Sequence, residues 1–291
     1  MKLLIYGAGV IGCFYATLFS EVEYDITIYA RGKRLEDLKK NGLLYIKNNK
    51  IRKANVKIID KVDADDKYDF IFLTVRENQV HEALEELRHN IGQNIVTMVN
   101  TLEPYERWEE ICGKGRIIPA FPGAGGSFEQ GVLHAALTPW IIQPTTFAEI
   151  NGEKTERILQ LSTVFRKSKI PCQIVKDMHE WQLCHLAMVV PIADAYYEAD
   201  DPGKAGKERK IMRKTAKRMK RNFNMLRRLG ITLSPKKMNL FRFVPISILS
   251  MGLSMVFRSD FGNMFMYQHS MKAPDEMRQL HRQFYKYIKG K

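Results

Sequence analysis

Six residues near the start of the chain, Gly7-Ala8-Gly9-Val10-Ile11-Gly12, restrict its fold more than any other feature. They follow the apolar run Lys2 to Tyr6 and open the apolar helical pattern Val10 to Phe19, so they stand at a strand-to-helix turn. In that context each glycine has its own duty. Gly7 permits the tight turn, Gly9 lets the backbone approach a pyrophosphate, and Gly12 lets the helix pack close to the strand. The helix N-terminus then offers N–H groups and a partial positive charge to phosphates. Asp25 to Tyr29 reads as a second strand, and Leu35 to Lys40 as a short helix stopped by Asn41-Gly42. Strand, helix and strand in such quick succession form a βαβ unit, whose crossover makes the sheet parallel.

The alternation continues with strands at Val56 to Ile59, Asp69 to Val75, Asn94 to Val99 and Arg116 to Phe121, and helices at Asn78 to Arg88 and Pro104 to Cys112. This is the rhythm of an α/β Rossmann domain with a doubly wound, mostly parallel sheet. From Gly123 to Ile150 the texture changes, and antiparallel strands at the sheet edge are expected there. A helix over Lys154 to Lys167 and a short strand over Cys172 to Val175 follow. Beyond Lys176 strand signals largely stop: His179 to Tyr197 reads as one apolar-rich helix and Lys204 to Leu229 as a basic amphipathic helix. From Arg242 onward there is more helix, broken by Pro245 and Pro274. The expected organisation is a dinucleotide-binding domain over 1–172 and an all-α domain for substrate or dimerisation over 173–291, as a length of 291 residues suggests.

The end of the second strand indicates which dinucleotide is bound. Holding a ribose 2′-hydroxyl calls for Asp or Glu there, but the sequence reads Tyr29-Ala30-Arg31-Gly32-Lys33-Arg34, three cations and no carboxylate. Arg31 offers a planar fork suited to a phosphate. Arg31 and Arg34 therefore point to NADPH/NADP rather than NADH; the plainer reading is that these cations solvate a loop.

The formal net charge of +14 is concentrated. Between Gly203 and Phe243 fifteen Lys and Arg face Glu208 alone, so this segment carries the whole excess. An anionic membrane or a nucleic acid would suit clustered cations. Aromatic interleaving is poor, however, with Phe223 alone inside the helix, while Ile211, Met219, Phe223 and Leu226 form a packing stripe. The preferred reading is a solvated face beside an acidic substrate or a dimer partner, and not a nucleic-acid site. The N-terminus lacks the features of a signal peptide, and Val244 to Phe257 is too short to span a bilayer. Cys13, Cys112, Cys172 and Cys184 have no metal-ligand spacing. A soluble cytoplasmic protein without membrane attachment or a bound metal is expected.

Several of these residues carry a resemblance to the ketopantoate reductase family. They are Tyr6 to Gly12, then Ala30-Arg31-Gly32 with Leu35 and Asn41-Gly42-Leu43, then Leu73-Thr74-Val75-Arg76 with Gln79 and Ala83-Leu84, and Asn100. The resemblance covers about residues 1–122. It implies NADPH in a Rossmann domain and a small anionic carbonyl substrate in the cleft before a helical domain, with hydride transfer to a 2-oxo acid or related carbonyl. Val75 and Gln79 then flank the cofactor. Arg76 stands where the family has a lysine beside it, and Asn100 corresponds to an asparagine near the nicotinamide ribose or the substrate, with Thr101 in place of the family's glycine.

The resemblance breaks on the helix meant to deliver the proton. The family places a lysine two residues past a tryptophan, with asparagines four and eight residues further on. Counted from Trp181, those positions hold Leu183, Ala187 and Pro191, none of which donates a proton. Carbonyl reduction needs an acid within hydrogen-bond reach of the oxygen, and histidine suits that role near neutral pH. The candidates are His185, one turn after Trp181, with His269 and Lys272 from the last third of the chain; Asp194 is a further polar group on the helix. Two glycine-rich readings stay open for Gly123 to Ser127, a backbone cradle for a ligand or an edge turn. The alternative for the whole chain is a regulatory protein that binds NADP(H) without catalysis.

Overall fold

Residues 1–290 are described by a computed structural model, which divides into two compact units, Met1–Met178 and His179 onward. The first carries β1 (Lys2–Tyr6), α1 (Val10–Ser20), β2 (Asp25–Tyr29), α2 (Gly32–Asn41), β3 (Leu44–Lys47), β4 (Lys50–Lys53), β5 (Lys57–Ile59) and β6 (Phe70–Leu73). It continues with α3 (Val80–Leu87), β7 (Ile95–Met98), α4 (Tyr105–Cys112), β8 (Ile117–Phe121), β9 (Ala124–Glu129), β10 (Val132–Leu137), β11 (Thr145–Phe147), α5 (Glu156–Lys167) and β12 (Cys172–Ile174). Leu3, Leu4 and Ile5 of β1 and Phe70 to Leu73 of β6 are fully buried, as strands covered on both faces must be. The main sheet runs β12-β11-β8-β7-β6-β1-β2-β5. Every neighbouring pair from β8 to β5 is parallel, and β11 is antiparallel to β8. This is the doubly wound, mostly parallel Rossmann sheet that the alternation predicts.

Strand order reverses at β1, with β2 on one side and β6 on the other. The crevice outside the carboxyl ends of such strands is where ligands of these sheets bind. Helix α1 and helix α5 cover the core through Phe19 and Phe165, whose rings meet Phe72 at 4.9 and 6.0 Å.

A second sheet of order β4-β3-β10-β9 changes the reading of the edge. The antiparallel edge expected over Gly123 to Ile150 is supplied by β11 alone, while β9 and β10 pair with each other and β10 pairs with β3. Two tight hairpins build this sheet. Asn48 and Asn49 have φ of 51° and 58°, and Gln130 and Gly131 have 48° and 82°, the paired left-handed conformations of a two-residue turn whose twist matches its strands. Strand β12 pairs with β11, so residues 172–174 lie in the sheet-bearing unit, which runs to Met178.

The second unit is helical: α6 (Met178–Glu198), α7 (Arg209–Arg228), α8 (Ile246–Phe257), the single turn α9 (Asp260–Gly262), α10 (Gln268–Lys272) and α11 (Pro274–Lys289). The single basic helix expected from Lys204 is divided. Asp201 caps a separate 3₁₀ turn, Pro202–Lys207, by accepting from the Gly203 N–H at 3.0 Å, and α7 begins after it. Helix α7 buries Ile211, Thr215, Met219, Asn222 and Leu226, the spacing of one helical face. Pro191 stands inside α6 and removes the donor that the Ala187 carbonyl needs. The fully buried Asn222 replaces it, its Nδ2 donating to Ala187 O at 3.2 Å.

Candidate active site

The glycine turn has the geometry that its three glycines call for. Gly7 has φ of 115° and donates to Tyr29 O at 3.3 Å. A Cβ on Gly12 would lie 2.1 Å from Gly7 O and 2.4 Å from Thr74 Oγ1, so only glycine fits between α1 and the ends of β1 and β6. Gly9 is different: a Cβ there would meet nothing within 4 Å. The first intrahelical bond of α1 is Cys13 N to Gly9 O at 2.9 Å, and no side chain caps this end. The N–H groups of Val10, Ile11 and Gly12 therefore precede the helical ladder, and anions are stabilised at such a terminus. Ala8, Val10 and Ile11 are half-buried around it. Thr74 ties the two strand ends together, its Oγ1 donating to Gly7 O at 2.8 Å.

The predicted cations divide into bound and unbound groups. Arg31, at the N-cap of α2, places Nη1 2.6 Å from Glu82 and 3.4 Å from Glu86. Glu86 also accepts from Tyr6 and, at 2.9 Å, from the Tyr29 hydroxyl, and the two tyrosine rings stack at 4.3 Å. The expectation of no carboxylate beside this site thus holds for β2 but not for the site, because α3 brings two. Arg34 folds back onto the glycine turn: its Nε donates to Ala8 O at 3.2 Å, and its guanidinium lies 4.0 Å from the Phe128 ring centre. It clamps the turn and is not a free phosphate ligand. Arg76 and Lys33 are exposed. Val75 and Gln79 are half-buried, with Gln79 at the N-cap of α3.

Asn100 follows the carboxyl end of β7 and is 8% exposed, and its Oδ1 has no hydrogen-bond partner. A buried carbonyl without a donor is costly unless a ligand supplies one. Gly123 reads as a structural edge. Its N–H donates to Tyr15 and Thr145 hydroxyls at 3.1 and 3.3 Å, while Gly125 and Gly126 pair with Ala136 and Ala135.

In the helical unit, Leu183 and Ala187 are fully buried and Pro191 is buried, so that face of α6 carries no acid. His185 stacks on Trp181 with ring centres 5.3 Å apart. Burial, with a smaller contribution from nearby His269, pulls its imidazole down to about 3. The structure thus brings His185 and His269 together from α6 and α10. His269 reaches solvent but is otherwise surrounded by protein, and burial lowers its imidazole too. Lys272 is exposed. Asp194 belongs to an ion-pair network, with its carboxylate oxygens 2.9 Å from His281 Nδ1 and 3.4 Å from Arg218 Nη1.

A doubly wound sheet with an uncapped glycine turn at its switch point defines a dinucleotide-binding oxidoreductase-type fold. The family model described as ketopantoate reductase PanE/ApbA matches residues 3–151, just over half of the chain. The chain belongs to the ketopantoate reductase family. The 2-dehydropantoate 2-reductase of Mesorhizobium japonicum is 25% identical over 199 residues, covering 61% of each chain. The chain spans about three fifths of the length of the curated relatives it matches. Among solved structures, the 2-dehydropantoate 2-reductase of Porphyromonas gingivalis W83 has a TM-score of 0.63 at 15% identity, covering 94% of this chain and 98% of its own. A D-mandelate dehydrogenase solved with NADH and anilino(oxo)acetate has a TM-score of 0.60 at 14% identity, covering 100% and 99%.

Proposed function

We propose that the protein is an NADPH-dependent reductase that transfers hydride to a small anionic 2-oxo acid or related carbonyl, which need not be ketopantoate. The observation that carries this reading is the orphaned Asn100 Oδ1 in a fold whose α1 N-terminus is open above Gly9. Val10, Ile11 and Gly12 N–H groups would hold a pyrophosphate, Arg31 and Arg76 a 2′-phosphate, and Asn100 a ribose or substrate hydroxyl. When bound, the reduced nicotinamide supplies the hydride. The chain's own part is to bind, orient and supply a proton. His269 is taken as the proton carrier of the histidine pair, because its side chain reaches solvent while His185 is buried. His185 then acts as a positioning residue behind it.

NADPH is preferred although Arg31 is paired, because the pair is exposed on both sides. Such pairs stabilise by about 1 kcal/mol or less, so a phosphate can draw Arg31 away from Glu82. The test is to titrate purified protein with NADPH and NADH and then follow NADPH oxidation with a panel of 2-oxo acids and aldehydes. Binding without turnover of any substrate would overturn the enzyme reading. It would leave the second one, a non-catalytic NADP(H)-binding regulator, which is favoured by the apolar Leu183, Ala187 and Pro191 face.

A further inference from the structure

Between Glu208 and Asp260 the chain has fourteen Lys and Arg and no Asp or Glu. The second half of this stretch also carries the largest run of exposed apolar side chains in the helical unit. The 3₁₀ turn Lys236–Arg242 and α8 leave Leu240, Phe243, Ile248, Met251 and Met255 exposed at 54 to 70%. Ile248, Met251 and Met255 share one face of α8 by their spacing, and Gly252 between them opens on empty space. Leu253 and Phe257 on the opposite side are buried, so the exposed face is not the one that holds the fold. Lys220 Nζ donates to Arg242 O at 3.1 Å and Val244 O at 2.6 Å, fixing the entry to α8 against α7. Lys236, Lys237, Arg242 and Arg258, all exposed, flank these side chains in sequence, with the Arg242 guanidinium 4.5 Å from the Phe243 ring centre.

We propose that this surface docks on an anionic lipid bilayer. Leu240, Phe243, Ile248, Met251 and Met255 enter the boundary between headgroups and acyl chains, and the flanking cations meet lipid phosphates. Charge decides among the partners that an exposed apolar face admits. A second copy would set a unit with twenty-two Lys and Arg against nine Asp and Glu beside its own like. In a two-fold pairing the same cations would rim both sides. Nucleic acid would satisfy the cations, but its stacking platforms are aromatic, and Phe243 is the one aromatic of the five. An anionic membrane takes both halves of the surface at once, apolar area in the interface and cations at the phosphates. The contact is peripheral, and no helix among the described residues is long and apolar enough to cross a membrane.

The test is co-sedimentation of the full chain with phosphatidylcholine vesicles, with and without phosphatidylglycerol. The expected result is binding to the anionic vesicles at least about tenfold tighter than to the neutral ones, weakened by salt. Met251→Glu with Met255→Glu should reduce it about tenfold at an unchanged thermal midpoint, since both side chains are exposed. Lys236→Glu with Arg258→Glu should also weaken it about tenfold, through the loss of cations that meet lipid phosphates. No partition onto anionic vesicles, or partition that the methionine variants leave unchanged, would overturn the proposal. So would a dimer, seen by light scattering without lipid, that these variants dissociate; the face would then join two copies of the chain.

Discussion

Arg31 Nη1 lies 2.6 Å from Glu82 Oε1, so the cation that follows β2, proposed above to hold a 2′-phosphate, is paired directly with a carboxylate from α3. The two groups oppose each other in cofactor choice. Arg31 attracts a phosphate and Glu82 repels it. Glu82→Gln is expected to tighten NADPH binding several-fold and leave NADH nearly unchanged, whereas Arg31→Ala should weaken NADPH by about tenfold. Fluorescence titration with both dinucleotides checks this; equal shifts for the two would remove Arg31 from the phosphate site.

The glycines of the turn should separate stability from binding. Gly12→Ala places a methyl group against Gly7 O and Thr74, and a destabilisation of about 3 kcal/mol is expected from overpacking. Gly9→Ala meets open space, so its stability change should stay within about 1 kcal/mol, the scale of a helix-cap change. Dinucleotide affinity should nevertheless fall at least about tenfold, because the methyl group stands where the pyrophosphate approaches. Thermal midpoints and binding constants of the two variants decide the matter.

His185 makes stability depend on pH in a definite direction. Its folded-state value is about 3, below the ordinary value of about 6.5 expected when unfolded. Above about pH 6.5 both states are neutral and no linkage exists. Between about 6.5 and 3 the unfolded chain binds the extra proton, so stability falls as pH falls, by up to about 1.4 kcal/mol per pH unit from this group. His269, lowered in the same direction, adds to the slope. Urea midpoints measured across this range should show the loss, and His185→Gln should flatten it.

The proton donor can be identified by kinetics. With a substrate in hand, His269→Gln is expected to lower kcat about 100-fold with little change in NADPH affinity. His185→Gln should shift the pH profile as well as the rate, as a positioning residue would. Lys272→Ala should have little effect. If Lys272→Ala instead gave the large loss in kcat, the proton would come from the ammonium.

Much of the sheet was legible because its evidence is local. A strand buried on both faces is a continuous apolar run, and the Gly7 to Gly12 turn declares both the strand before it and the helix after it. The hairpin of β3 and β4 was also written in the sequence, as Asn48-Asn49 between Leu44 to Lys47 and Lys50 to Lys53. Its strands carry lysines at exposed positions, and this hides the alternation that marks a half-buried strand. Glu82 and Glu86 could not be seen from β2, since they reach Arg31 from fifty-one and fifty-five residues away. Their spacing of four on α3 shows only that both lie on one helical face. The meeting of His185 with His269 is tertiary in the same sense. What the sequence did state clearly was that positions 183, 187 and 191 hold Leu, Ala and Pro, none of which donates a proton.

Pro191 is built into the framework of the helical unit. Asn222 donates to the carbonyl that Pro191 leaves free. Replacing Pro191 with asparagine would bring a second, backbone donor to that carbonyl beside the fully buried Asn222 amide. The two helices are therefore coupled at this one carbonyl, and a substitution at 191 on α6 is felt at a buried amide on α7.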